Sequence, residues 1–116
     1  MGRVIGFELN SQDPKKASAF YAKVFGWQVS SQQWDYYPVK TGKGEQLGID
    51  GGIAKGPGDF PHGSRIQIEV DCIDESIRSA KDNGAMVIRE KMEFESFYLA
   101  YLVDPTGLGF GLVQQK

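Results

Sequence analysis

The 116-residue sequence lacks several features that would point to particular compartments or partners. It has a single cysteine, so no internal disulfide can form, and a cytoplasmic protein is expected. No lysine or arginine run stands out and the net charge is −2, which argues against nucleic acid or an anionic membrane surface as a partner. No apolar run approaches the length of a membrane span, and the opening residues lack a signal-peptide hydrophobic stretch.

The sequence does contain segments in which alternate residues are apolar, and residues typical of helix ends. Val4–Asn10 alternates, which predicts a strand with Gly6 and Glu8 on one face. Asp13 followed by Pro14 predicts a helix start, and Gly26 predicts its end. Further strands are predicted over three segments, Trp27–Ser30, Trp34–Lys40 and Gln46–Ile53.

The same order of elements then begins again. Arg65–Asp71 alternates, Asp74 is expected to cap a second helix, and Gly84 is expected to end it. Strands are predicted at Ala85–Arg89, Phe97–Val103 and Leu108–Gln114, with a weaker one near Met92–Phe94. The repeat predicts one domain over residues 1–116, with module one at about 1–55 and module two at about 64–116.

The last predicted strand is unusual because one of its faces has almost no side chains. In GLGFGLV, Leu108, Phe110 and Leu112 alternate with Gly107, Gly109 and Gly111. Glycine weakens a strand interior, so a face of glycines needs a reason. One interpretation is space for a ligand, and the other is close approach of another backbone.

The segments FELNSQDPKKASAFYAKVFGWQV and YLVDPTGLGFGLVQ resemble the glyoxalase/bleomycin resistance/dioxygenase superfamily, also called vicinal oxygen chelate proteins. The similarity is greatest to small single-domain members related to lactoylglutathione lyase. The resemblance implies an α+β fold of two βαβββ modules, whose sheets curl into a cavity with helices on the outer face. It also implies a homodimer. Leu108, Phe110 and Leu112 would then pack under a helix, and the glycines would face the cavity.

The resemblance also implies where metal-dependent relatives hold their metal. Those positions carry Gly6, Arg65 and Gly111 here, with a fourth near Gly51 to Ile53. Glycine has no ligating side chain, and arginine stays protonated and has no lone pair to give. We therefore expect no metal and no cofactor. This also argues against metal-dependent glyoxalase I or extradiol dioxygenase activity.

Polar residues share the inward strand faces with these positions. Strand parity places Glu8 with Gly6, and Gln67 and Glu69 with Arg65. Three interpretations remain open: a structural ion-pair network, recognition of a carboxylate or phosphate by Arg65, and an acid–base role for Glu8 as a catalytic residue. The expected ligand-binding residues are Gly6, Glu8, Trp34, Tyr36, Arg65, Gln67, Glu69, Tyr101 and Gly111.

Aromatic residues are the remaining candidates. Trp34 and Tyr36 are expected on one strand face, and they suit either ordinary strand packing or a binding pocket, as does Tyr101. His62 is expected to be a loop histidine, and Cys72 an inert thiol.

Two functions are compatible with these residues. The first is a binding protein that holds a small organic molecule in its cavity without the family's metal site. The alternative is a lyase or isomerase of the lactoylglutathione lyase-related group, which would use a displaced metal held by Glu8, Asp50 and Glu69, or Glu8 as a metal-free base. Fold alone does not choose between them.

Overall fold

A computed structural model describes residues 2–116, which form eight strands and two helices. The elements in chain order are β1 (Arg3–Ser11), α1 (Pro14–Phe25), β2 (Gln28–Val29), β3 (Tyr36–Lys40), β4 (Asp50–Lys55), β5 (Gly63–Glu69), α2 (Ile73–Asp82), β6 (Met86–Glu93), β7 (Phe97–Val103) and β8 (Gly109–Gln115). The chain divides into a first unit, Gly6–Ser64, and a second unit, which contains Arg65–Lys116 and the residues up to Ile5.

The first unit is a four-stranded sheet with one helix. Its strand order is β2-β3-β4-β1, in which β1 and β4 run parallel and the other neighbours run antiparallel. Helix α1 begins where the sequence predicts, because the Asp13 side chain accepts a hydrogen bond from the Lys16 backbone N–H at 3.0 Å. It ends at Gly26, whose φ of 73° is in the left-handed region.

Several large apolar side chains of helix α1 are exposed to solvent. Phe20, Val24 and Phe25 are 54%, 55% and 62% exposed. The buried positions of the helix are instead Pro14 and Ser18, and the Ser18 hydroxyl donates to the Pro14 carbonyl at 2.7 Å. The helix thus packs through small residues that allow close approach.

The second unit repeats the arrangement. Its strand order is β5-β8-β7-β6, with β5 and β8 parallel and the remaining pairs antiparallel. Helix α2 covers one face of this sheet, and its Ile73 and Ile77 side chains are buried. The core of the unit consists of Ile73, Ile77, Ala100, Leu102 and Leu112. Leu112 thus lies in this core and Phe110 packs against it, as expected.

The expectation that Asp74 caps α2 was wrong. The N-cap is Cys72, whose side chain makes no capping hydrogen bond within the described chain. The Ile73 backbone N–H donates instead to Gln114 Oε1 on β8 at 2.8 Å. Asp74 lies in the first turn and pairs with Lys91 at 3.1 Å. A distant side chain therefore satisfies the helix terminus, and a local pattern does not reveal this.

The expectation that Leu108 packs under a helix was also wrong. The Asp104 carboxylate accepts from the Thr106 and Leu108 backbone N–H groups, at 2.7 and 3.0 Å. These bonds extend the turn through Leu108, which is 68% exposed, so that β8 begins at Gly109. The weak strand near Met92–Phe94 is the continuation of β6, which has register shifts along its pairing with β7.

The predicted α+β class and the repeated βαβββ order are both confirmed. Neither of the two helices within residues 2–116 has the length and apolar character needed to cross a bilayer.

Candidate functional site

In the second unit, Gln67, Gly111 and Tyr101 lie side by side across three strands. The register pairs Gln67 with Gly111, and Gly111 with Tyr101. The end of the Gln67 side chain occupies the space that a β-carbon at Gly111 would take, with its Cδ 2.9 Å from that position. Gln67 Oε1 is buried and has no hydrogen-bond partner among residues 2–116. An acceptor in this state is costly, so it is a candidate ligand contact.

Arg65 lies two positions before Gln67 on the same strand and is 4% exposed. Its guanidinium carbon is 3.9 Å from the centroid of the Tyr101 ring, which is a close cation–π contact. Glu69, two positions after Gln67, pairs in register with Val113 and is half-buried. The structure therefore brings Arg65, Gln67, Tyr101 and Gly111 together, with Glu69 at the end of this group.

In the first unit, Glu8 and Asn10 occupy the corresponding strand. Both residues are 6% exposed. Asn10 Nδ2 donates to Glu8 Oε2 at 2.9 Å, and this bond fixes the orientation of the Asn10 amide because an ionised carboxylate only accepts. No described residue donates to Asn10 Oδ1, which is buried. Gly6 is also buried, and it pairs in register with Asp50.

Tyr36 lies across Gly52 in the same unit. Its ring and hydroxyl occupy the position of a β-carbon at Gly52. Burial raises the pKa of Tyr36, and the negative charge of Glu8 raises this pKa further. Trp34, which was expected to share the strand face of Tyr36, lies in a turn before β3, with a φ of 58° and 87% exposure. Tyr36 therefore lies close enough to Glu8 to sense its charge, whereas Trp34 lies in an exposed turn.

The positions that the resemblance assigns to metal ligands do not fit a metal. In the first unit Glu8 pairs in register with Gly52, and in the second unit Gln67 pairs in the same way with Gly111. Gly52 is therefore the equivalent of Gly111 and the fourth of the positions assigned to metal ligands. The set is Gly6, Gly52, Arg65 and Gly111, which supplies no oxygen or imidazole donor from a side chain. Within residues 2–116, no three histidine, cysteine or carboxylate side chains lie in an arrangement able to hold a metal ion.

The other residues singled out in the sequence have different positions. Asp50 fastens a loop, since its Oδ1 accepts from the Thr41 backbone N–H at 2.9 Å. This loop, residues 40–50, lines a surface cavity of about 260 Å³. His62 is exposed before β5, as expected, and Cys72 is the half-buried N-cap of α2.

Two residues of the candidate site were missed by sequence reasoning. Asn10 shares the face of Glu8 by strand parity, so its polar side chain at an inward position was a usable signal. Gly52 was predicted only as one residue within Gly51 to Ile53, because its equivalence to Gly111 depends on strand register, which cannot be read from the sequence.

Comparison with solved structures supports the fold. The chain is similar to a hypothetical protein from Bacillus halodurans C-125, with 17% identity and a TM-score of 0.70 over 99% of this chain and 95% of that one. A glyoxalase/bleomycin resistance protein/dioxygenase superfamily member from Vibrio splendidus shows 18% identity and a TM-score of 0.64, with 100% of both chains covered. Methylmalonyl-CoA epimerase from Streptomyces coelicolor shows 15% identity and a TM-score of 0.67, over 97% and 96% of the two chains.

Comparison with curated proteins gave no match. The model of the glyoxalase-like domain matches residues 6–113, which is nearly the whole chain. The fold, the repeated βαβββ order and this match agree with the resemblance found in the sequence. The chain belongs to the glyoxalase-like domain family.

Proposed function

We propose that this protein binds a small organic molecule at the second unit, against Gly111, and that binding needs no metal. The observation that carries the proposal is the buried Gln67 Oε1, which no described residue satisfies and which lies in the space left open by Gly111. A ligand N–H or O–H group would satisfy this acceptor on binding.

Arg65 and Tyr101 indicate the chemical class of the ligand. Arg65 is always charged, is 4% exposed, and lies over the Tyr101 ring at 3.9 Å. A planar guanidinium favours an anionic group that it can bind through two hydrogen bonds, and the aromatic ring favours a flat apolar body. We therefore propose an aromatic or unsaturated carboxylate that also carries a hydroxyl or amine.

The test is ligand binding to chelator-treated protein. Thermal unfolding is recorded with salicylate and 4-aminobenzoate, and with the neutral benzyl alcohol as the matched compound. A ligand at about 100 times its Kd stabilises the protein by roughly 2.7 kcal/mol, which is several degrees for this chain length. The proposal predicts a rise with a carboxylate and little change with benzyl alcohol.

A variant pair assigns such a rise to the site. Gly111→Leu should fill the space beside Gln67 and abolish the shift, while Gly44→Leu, where no described atom lies within 4 Å of a β-carbon, should preserve it. Equal shifts in both variants, or no shift with any aromatic carboxylate across a broad panel, would overturn the proposal.

A second candidate function is metal-free acid–base catalysis of an isomerisation. It is favoured by the buried Glu8 carboxylate, which Asn10 orients, and by the nearby Tyr36, whose pKa is raised by burial and by the charge of Glu8. Several similar structures are methylmalonyl-CoA epimerases, although at 12–15% identity they show only the fold. Deuterium uptake from D₂O into methylmalonyl-CoA, with chelator present, tests this function. Undiminished uptake by Glu8→Gln would exclude Glu8 as the base.

We also propose that two copies of the chain associate into a homodimer, as the resemblance implies. Sedimentation equilibrium across a range of protein concentrations tests this directly. A mass of about twice the 12.8 kDa of the monomer is expected, and a monomer throughout would contradict it.

A further inference from the structure

The first unit has its own unsatisfied acceptor, on Asn10, the residue that orients the Glu8 carboxylate. Asn10 is 6% exposed, and no described residue donates to its Oδ1. The amide cannot be reversed to remove the problem, because its Nδ2 already donates to the Glu8 carboxylate at 2.9 Å. A buried acceptor without a partner is rare in folded proteins and calls for a specific explanation.

The strand register identifies the neighbours of Asn10 across the sheet. Asn10 pairs in register with Ala54 of β4, and Ala54 pairs with Tyr36 of β3. The small Ala54 therefore separates the Asn10 amide from the Tyr36 side chain on one sheet face. The Tyr36 ring leans away from Ala54 and over Gly52, in the neighbouring row. The register thus defines a row across the sheet, made of Asn10, the small Ala54 and Tyr36, which we call the Asn10 row.

The chemistry of the Asn10 row selects a particular ligand group. Asn10 Oδ1 only accepts hydrogen bonds, so the group it binds must be an N–H or O–H donor. The Glu8 carboxylate next to Asn10 favours positive charge, and the face of an aromatic ring also attracts cations. A tyrosine phenol is protonated at neutral pH, so the Tyr36 hydroxyl can both donate and accept.

We propose that the first unit carries a donor subsite, made of Asn10, Ala54 and Tyr36, in which Asn10 Oδ1 accepts a hydrogen bond from an ammonium or hydroxyl group of a small molecule. All three residues belong to the first unit, and the proposal does not rest on the carboxylate site proposed for the second unit. A ligand bearing only an amine, or only a hydroxyl, would be recognised here.

Methylammonium chloride and methanol are the simplest probes of the two donor types. Each is titrated into ¹⁵N-labelled protein, with sodium chloride at equal ionic strength as the reference for methylammonium. The expected result is a saturable shift of the Asn10 side-chain amide and of the Ala54 backbone amide. Saturation by methylammonium alone assigns an ammonium ligand, and saturation by methanol assigns a hydroxyl ligand.

Two variants make the result specific. Asn10→Leu removes the acceptor at similar size and should weaken saturation of the Ala54 shift by about tenfold or more. Asn83→Leu is its control, because Asn83 is exposed and only caps α2 through the Ser79 carbonyl. If Asn10→Leu fails to fold, Ala54→Val adds bulk between Asn10 and Tyr36 while it keeps the bond between Asn10 and Glu8, and the same loss is expected.

The proposal fails if neither probe gives a saturable shift, since the acceptor is then satisfied by ordered water. It also fails if Ala54→Val binds as well as the natural chain. Neither failure would affect the carboxylate site, because its variants and probes are different. Conversely, loss of carboxylate binding in Gly111→Leu with retained methylammonium shifts would separate the two sites.

Discussion

Two glycines, Gly51 on β4 and Gly111 on β8, should respond differently to the same substitution. Both have ordinary backbone conformations, so alanine is not excluded by φ at either position. A β-carbon at Gly51 would meet the Phe7 backbone carbonyl oxygen, and also the Phe7 ring with its Cγ and Cδ1 at 2.8 Å. A β-carbon at Gly111 would meet only the end of the Gln67 side chain, which can rotate away.

The expected magnitudes follow from these contacts. Overpacking against a fixed backbone costs about 1–3 kcal/mol, while replacement of glycine by alanine recovers about 0.4–1 kcal/mol from the unfolded chain. Gly51→Ala should therefore lose about 1–2 kcal/mol, which is a fall in Tm of about 4–8 °C at this chain length. Gly111→Ala should stay within about 1 kcal/mol of the natural chain, because only a flexible amide must move.

Urea unfolding followed by circular dichroism measures both variants, and calorimetry gives the Tm values. The comparison tests whether Gly111 leaves usable space or is required for packing. If Gly111→Ala loses as much stability as Gly51→Ala, the Gln67 amide is held firmly and the space is not available to a ligand. If Gly51→Ala leaves the free energy of unfolding unchanged, β1 and β4 tolerate the contact with Phe7. The predicted difference between the two variants would then be wrong.

Three further outcomes are expected. Glu8→Gln should lower the pKa of Tyr36, because the negative charge of Glu8 is one cause of its rise. The pKa should still exceed the ordinary value of 10.0, since burial is the larger cause. A near-ultraviolet titration of tyrosinate measures this pKa, and an unchanged value would contradict the proximity of the two groups. Because the folded-state pKa is raised, the stabilising contribution of Tyr36 should fall as pH rises above about 10. Leu102→Ala should cost about 2–5 kcal/mol in urea unfolding, since Leu102 is 1% exposed in the core of the second unit, and a loss below this range would indicate that the core closes over the cavity. The backbone N–H of Leu108 and other turn donors lower the pKa of Asp104, so its stabilising contribution should be lost as pH falls below about 3.8, and Asp104→Asn should show a flatter acid limb than the natural chain.

The local parts of the fold could be predicted from the sequence. The start of α1 at Asp13 and Pro14 and its end at Gly26 depend on neighbouring residues only, and both are as expected. The bounds of Phe97–Val103 agree as well. The start of α2 did not follow, because the acceptor for its first N–H group comes from Gln114, about forty positions away.

The candidate site could be predicted only as a set of separate residues. Strand parity placed Arg65, Gln67 and Glu8 on inward faces, and all three are buried or half-buried. It could not show that the Gln67 amide lies against Gly111, since this depends on the register of β5 and β8. Trp34 was misplaced because its positive φ ends the alternating pattern one turn before β3. Whether these residues bind a ligand remains a prediction.

The parallel strand pairs also have a consequence for how the chain folds. In each unit, the pair that closes the sheet joins residues about forty positions apart, Gly6 with Asp50 and Ile66 with Phe110. The β6–β7–β8 hairpins join much nearer residues and can form early, whereas β5 must find β8 after the intervening helix and hairpin are in place. The rate of refolding should therefore be limited by formation of the parallel pairs β1–β4 and β5–β8. Mutations in these pairs should slow refolding more than mutations in the hairpins.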